Sequence, residues 1–247
     1  MTINSAYQDL KSSDIDNDNM EIAIKYGKGS DHGTGYLGYR DLPIIIDKHV
    51  KGNKALDYGC GPGYSSWLLK SLGVDVVGVD ISEHMLAVAR KTYQSITFYK
   101  TKIGELPFND HSFDLVLSTF VLFDIPSIEE VVRYLSQARR VLKPAGVFIA
   151  VTGSDHFHKN NWLSAQNDIE KNQRLISGEM YKVKLLDDDI TFHDFYYAEA
   201  DYARAFSSAG LERVALYHPL GKSSDNIPWF TEWDLPPYSI YVCRPKE

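Results

Sequence analysis

The stretch Ala55-Leu56-Asp57-Tyr58-Gly59-Cys60-Gly61-Pro62-Gly63-Tyr64 constrains the fold of this chain more than any other. Its apolar opening reads as a short buried strand, and its three alternate glycines as a loop leading into a helix. Without Cβ atoms, the backbone of such a loop can turn tightly and pass close to a ligand. The helix behind it offers unpaired N-terminal N–H groups to whatever sits there. A glycine triplet does not identify that ligand, so the surrounding pattern has to.

From residue 54 the pattern is regular. Lys54–Tyr58, Val74–Val79, Ile96–Lys100, Asp114–Ser118 and Val147–Thr152 read as five strands. Between them run helices over Tyr64–Leu72, over Ile81–Thr92 with Ser82 as a cap, and from a capping box at Ser127 to Glu130 through Leu142. Lys143-Pro144-Ala145-Gly146 reads as the turn into the fifth strand. Strands alternating with helices predict a parallel sheet covered on both faces. After Gly153 the rhythm breaks. Residues 154–178 are polar and irregular, and Tyr181–Leu186 and Ile190–Tyr197 read as an antiparallel hairpin joined by Asp187-Asp188-Asp189. That triple aspartate suits a turn better than a metal cage. A helix over Tyr202–Ser208 and strands over Leu211–Tyr217 and Ser239–Cys243 close the chain. The loop 218–236 between those strands is too long to be a simple connector. Upstream, Met20–Tyr26 and Leu42–Val50 read as helices, and the run Ser12–Asn19 as a solvated tail that only superficially resembles a calcium loop.

Length and charge narrow the partners. A chain of 247 residues suits one sizeable domain. Its net charge of −7, with 26 dispersed Lys and Arg, speaks against nucleic acid or anionic membrane as a partner. Two cysteines, Cys60 and Cys243, do not make a disulfide framework. The absence of a leader-like or membrane-spanning apolar run adds to the expectation of a cytoplasmic protein, monomeric or homodimeric.

A strand, a glycine loop and a helix, with an acid after the second strand, suit either a dinucleotide or S-adenosylmethionine. Asp80 ends strand two and can accept from both hydroxyls of a ribose in either ligand. The spacing Gly59-x-Gly61-x-Gly63 departs from the Gly-x-Gly-x-x-Gly of a pyrophosphate turn. Asp57 at the mouth of the loop would repel a pyrophosphate and favour ammonium and sulfonium charge. The physical preference is for the sulfonium cofactor.

Leu56-Asp57-Tyr58-Gly59-Cys60-Gly61-Pro62-Gly63, Val77-Gly78-Val79-Asp80-Ile81-Ser82, Leu106-Pro107-Phe108 through Phe113-Asp114-Leu115-Val116, and Leu142-Lys143-Pro144-Ala145-Gly146-Val147 together resemble the successive motifs of class I S-adenosylmethionine-dependent methyltransferases of the small-molecule type. The resemblance spans about residues 35–153, and the final helix and two strands suit that family's seven-stranded ending. It implies an α/β fold: a doubly wound, mostly parallel seven-stranded Rossmann-like sheet with helices on both faces. An N-terminal lid segment and an inserted hairpin after strand five would be added to it. The chain would be one methyltransferase domain, with a lid and first helix over 1–50, a cofactor core over 51–153, an acceptor-side insert over 154–200 and a closing part over 201–247.

The resemblance also implies roles. Asp57 and the backbone of Gly59, Gly61 and Gly63 would hold the amino-acid part of S-adenosylmethionine. Asp80 would take the ribose, with Ile81 and Met85 against the adenine. Ser118 and Phe120 would line the methionine end. Arg40 stands where many small-molecule members place an arginine for the cofactor carboxylate, and Tyr36 is grouped with it as a cofactor contact. Lys102-Ile103 departs from the acidic-then-small pair usual in the family, so backbone groups of Ile103 or Gly104 would meet the adenine amino group instead. Phe123 stands where a histidine is common.

Methyl transfer from a sulfonium is an in-line displacement, so the protein mainly aligns the partners and excludes water; a base is optional. His156, His158 and His193 are the candidates for a base or an acceptor contact. Asp155 is a further one, and no set of residues has metal-ligand spacing. Aromatic residues in the variable parts (Tyr36, Tyr39, Trp162, Tyr181, Tyr196, Tyr197, Trp229, Trp233) fit either packing of the insert or an aromatic acceptor pocket. The product would be S-adenosylhomocysteine and the acceptor a small organic molecule. The competing expectations are an NAD(P)-dependent Rossmann oxidoreductase and a non-catalytic S-adenosylmethionine-binding protein.

Overall fold

Three short helices precede the sheet in the computed structural model, which describes residues 19–27 and 32–246. Most of the acidic run expected to be a solvated tail lies outside the described residues. Helix α1 spans Met20–Tyr26, capped by the Asn19 side chain, which accepts from the Ile22 N–H at 2.9 Å. Helix α2 spans Tyr36–Arg40 and α3 spans Leu42–His49, whose Pro43 lies in the first turn where its missing N–H costs nothing.

The repeating part follows as β1 (Lys54–Tyr58), α4 (Tyr64–Ser71), β2 (Asp75–Asp80), α5 (Glu83–Thr92), β3 (Thr97–Lys100), β4 (Phe113–Thr119), α6 (Ile128–Val141) and β5 (Leu142–Gly153). Ser82 caps α5 by accepting from Met85 N–H at 3.0 Å, and Ser127 caps α6 through Glu130 N–H at 3.2 Å. The chain closes with α8 (Glu199–Ser208), β9 (Leu211–Tyr217) and β10 (Tyr238–Pro245). These strands form one seven-stranded sheet in the order β3-β2-β1-β4-β5-β10-β9. All its pairs are parallel except those made by β10, which runs antiparallel to both β5 and β9.

Strand β5 runs through the expected turn at residues 143–146. The irregularity appears as a register shift, from Phe113 opposite Leu142 to Leu115 opposite Val147. Helices cover both faces. Leu37, Leu42, Leu69 and Leu86, from α2 to α5, pack on one side; Leu135, Ala138, Tyr202 and Phe206, from α6 and α8, pack on the other. Strands β1 and β4 are buried along almost their whole length, as parallel strands covered on both faces must be.

The insert after β5 differs from the expected irregular stretch plus hairpin. It forms a separate three-stranded antiparallel sheet of β6 (Ala165–Asn167), β7 (Met180–Leu185) and β8 (Ile190–Phe195), with a four-residue helix α7 (Ile169–Asn172) between β6 and β7. Three residues are too few for alternation to show, so β6 carries no signal in the sequence. The Asp187–Asp189 link is a turn, with Asp189 in the left-handed region at φ 54°. No helix among the described residues is long and apolar enough to cross a membrane.

Candidate functional site

Where β1 ends, the N–H groups of Gly59 and Cys60 both donate to the Val79 carbonyl, at 2.8 and 2.9 Å. This curls the glycine loop over the end of β2, where Asp80 stands. Asp80 is held from two sides, its Oδ2 accepting from Gly61 N–H and its Oδ1 from Ser82 N–H, each at 2.8 Å. Gly61 has φ of +50°, and a Cβ built on it would meet no atom within 4 Å, so the space beside it is open.

That space belongs to a cavity of about 490 Å³ reaching from the glycine loop to the small sheet. Gly59, Gly61, Asp80, Ile81, Met85 and Ile103 line its loop end. Tyr58, Tyr134, Thr119 and Phe120 follow, where β1 and β4 end. The remaining walls include Phe123 and Asp124 after β4, Phe157, residues 192–194 of β8, Tyr238 at the start of β10, and Tyr26 and Thr34 from the N-terminal part. Phe120 has a left-handed backbone at φ 60°, a conformation costing a non-glycine residue about 1–3 kcal/mol. Its ring packs against Tyr39 and Tyr238, at 5.4 and 4.9 Å between centroids.

Other residues singled out from the sequence stand behind this lining. Asp57 is fully buried, and its Oδ2 accepts from Ser65 and Ser66 hydroxyls at 2.7 and 2.5 Å, which ties the carboxylate to the first turn of α4. Its Oδ1 is buried with no hydrogen-bond partner among the described residues. Burial pushes this carboxyl up to about 6, against the opposing effect of the two serines. Ser118 is buried, and its hydroxyl meets Tyr134 Oη at 2.9 Å. Tyr134 stacks on Tyr58 at 3.8 Å between centroids and donates to the Tyr58 carbonyl, so Ser118 steadies a cavity wall from outside. Gly63 and Gly104 do not line the cavity.

Arg40 points elsewhere. Its guanidinium donates twice to Asp41, and Nη1 bonds Asp225 at 2.9 Å and the Leu220 carbonyl at 2.8 Å. The Arg40 and Asp225 side chains are only 10% and 4% exposed, so the pair fastens the 218–236 loop to the N-terminal helices. Tyr36 stacks against Trp229 of that loop, at 6.3 Å between centroids.

Of the three histidines, His193 lines the cavity, His156 is exposed and His158 is buried away from the cavity lining. The His158 ring lies 3.9 Å from that of Tyr196, and burial pushes it down to about 4.

Several lining residues had no signal in the sequence. None of the eight aromatic residues gathered from the variable parts lines the cavity; Tyr26, Phe157, Phe192 and Tyr238 do. Trp162 instead supports Phe157 from behind, donating from Nε1 to the Phe157 carbonyl at 2.9 Å. Glu232 is fully buried and ties two remote segments to its own loop. Its Oε1 accepts from the Thr34 hydroxyl at 2.7 Å and from Leu163 N–H at 2.8 Å, and its Oε2 accepts from Phe230 N–H at 3.2 Å. No metal-binding group of three or more His, Cys, Asp or Glu occurs among the described residues.

Residues 56–150 match the family described as a methyltransferase domain. A demethylmenaquinone methyltransferase of Tropheryma whipplei is 43% identical over 98 residues, covering 38% of this chain and 39% of that protein. An uncharacterized methyltransferase of Synechocystis is 34% identical over 125 residues, covering 51% of this chain and 57% of that protein. The chain thus spans between two fifths and three fifths of the length of these relatives. The CcbJ methyltransferase from Streptomyces caelestis has the same fold, with a TM-score of 0.61 at 20% identity over 83% of this chain and 94% of that one. Residues 56–150 are thus similar to a methyltransferase domain, and the sheet that carries them has the Rossmann-like fold of solved methyltransferases.

Proposed function

We propose that the protein, built around this methyltransferase domain, moves a methyl group from S-adenosylmethionine to a small organic acceptor. The observation that carries this reading is a single cavity joining the open space beside Gly61 and the two-sided Asp80 carboxylate to an aromatic-walled chamber. These residues fit the cofactor. Asp80 would accept from the ribose hydroxyls, and Ile81, half-exposed, and Met85 offer an apolar surface for the adenine. Ile103, also in the lining, would border the adenine edge. Gly59 and Gly61 would let the amino-acid part approach the backbone, with Phe120 and Tyr58 near the sulfur. Asp57 would act from behind the loop, holding α4 and its N–H groups in place through Ser65 and Ser66.

When bound, S-adenosylmethionine would supply an already activated methyl carbon. The protein's share is then alignment and exclusion of water, and the aromatic walls serve both. The net charge of −7 favours a small acceptor over nucleic acid.

Calorimetric titration tests the reading. S-adenosylhomocysteine should bind and NADH should not; the reverse would assign the protein to the oxidoreductases.

A further inference from the structure

The strand β8 is docked on the connection that follows β4. Phe195 N–H donates to the Phe123 carbonyl at 2.7 Å, and each residue of that bonded pair has a carboxylate next to it, Asp194 and Asp124. Both carboxylates line the cavity. Asp194 is only 3% exposed and, among the described residues, accepts a single long hydrogen bond, from Tyr181 Oη at 3.4 Å. Asp124 makes no side-chain hydrogen bond or ion pair among the described residues. The basic residues among the described lining are His32 and His193, and no lysine or arginine joins them. Asp194 is thus a buried carboxylate, and Asp124, itself exposed, adds a second one beside it; a cationic ligand would offset the cost of burying that charge.

The walls point the same way. Phe120, Phe123, Phe192 and Tyr238 present aromatic rings to the same cavity, and ring faces attract ammonium groups. A phosphate or carboxylate on the acceptor would be repelled, and a neutral alcohol would leave both acids uncompensated. Resting on the methyltransferase reading above, we propose that the acceptor is a small amine, held as its ammonium by Asp124 and Asp194 within aromatic walls and methylated on nitrogen.

The chemistry balances with these groups alone. Asp194 takes one proton from the ammonium, which frees the nitrogen lone pair. The nitrogen forms the new N–C bond to the methyl carbon as the C–S bond breaks, and that electron pair goes to sulfur. The product is the methylated ammonium beside a neutral thioether, and the carboxyl proton returns to solvent. Burial pushes Asp194 up to about 7, and confinement with the Asp194 charge raises Asp124 well above the usual carboxylate range. An acid in that range can take an ammonium's proton and release it again near neutrality.

The test uses matched pairs, tyramine against tyrosol and tryptamine against tryptophol, titrated calorimetrically into the protein saturated with S-adenosylhomocysteine. Each amine should bind at least tenfold tighter than its alcohol. In Asp124→Asn and Asp194→Asn the preference should shrink to about twofold or less, while S-adenosylhomocysteine affinity stays within threefold, which shows the variants folded. With S-adenosylmethionine present, mass spectrometry should find N-methyl and not O-methyl products. Equal binding within pairs, no binding by any amine, a preference that survives both substitutions, or O-methylation would overturn the proposal. Failure of S-adenosylhomocysteine itself to bind would overturn the methyltransferase reading instead, and the amine proposal with it.

Discussion

Gly61 and Gly73 make a matched experiment. Both are left-handed, at φ +50° and +80°, and a Cβ on either would meet no atom within 4 Å. Alanine at each position therefore carries the same kind of penalty, the left-handed backbone cost of about 1–2 kcal/mol. For a chain of this size that lowers the melting temperature by roughly 2–8 °C. Only Gly61 lines the cavity. Its Cβ would stand where the amino-acid part of the cofactor is proposed to lie, while its N–H to Asp80 would remain. Gly61→Ala should weaken S-adenosylhomocysteine binding at least tenfold, about 1.4 kcal/mol, and Gly73→Ala should leave it unchanged. Differential scanning calorimetry and isothermal titration of both variants give the two readouts. Similar stability losses with equal affinities would refute the placement of the ligand at the loop. A much larger stability loss in Gly61→Ala would refute the claim that the space beside it is open.

Three further outcomes follow from the same geometry. Asp80→Asn leaves one oxygen to do the work of two and removes a charge-assisted bond of about 1.5–3 kcal/mol, so S-adenosylhomocysteine affinity should fall tenfold or more; an unchanged dissociation constant would exclude Asp80 from the site. Arg40→Ala strands the buried Asp225 and should cost about 3 kcal/mol of stability, while cofactor affinity moves less than threefold; a tenfold affinity loss would show that Arg40 reaches the cofactor after all. Burial raises Asp57 to about 6 in the folded protein from near 4 when unfolded, and the Asp80 charge adds to it. The folded state then holds a proton that the unfolded state has lost, so this contribution is fully present below pH 4 and fades as pH rises through 6. It amounts to about 3 kcal/mol, and urea unfolding between pH 4 and 7 should show a shallower decline in Asp57→Asn than in the wild type; parallel curves would refute it.

What the sequence made legible was what neighbouring residues decide among themselves. The glycine loop, the Ser82 and Ser127 caps and the apolar strands are local patterns, and each stands within two residues of its expected place except β5, which begins five residues early at Leu142. The acceptor side was not legible, because distant segments assemble it. Asp124 and Asp194 are brought together across the Phe195–Phe123 bond, and neither stands in a motif. Aromatic residues cannot be sorted into walls and packing by composition. Trp162 is the largest in its segment and lies behind the wall, whereas Phe157 beside it forms the wall. Arg40 occupies a familiar position, but its partner Asp225 lies 185 residues downstream, beyond the reach of any local pattern.

The placement of β10 sets an order on assembly. Strands β1 to β5 and their helices come from consecutive residues, so a nascent chain can build the loop, Asp80 and the parallel sheet as it emerges. The last strand then enters between β5 and β9, and until it does the hydrogen-bonding edge of β5 has no neighbour. Glu232 joins Thr34 across 198 residues at the same late stage. Closing such long loops is slow. A chain stalled before residue 232 would hold a cofactor cradle beneath an unfinished acceptor chamber and expose a β5 edge open to strand-to-strand association.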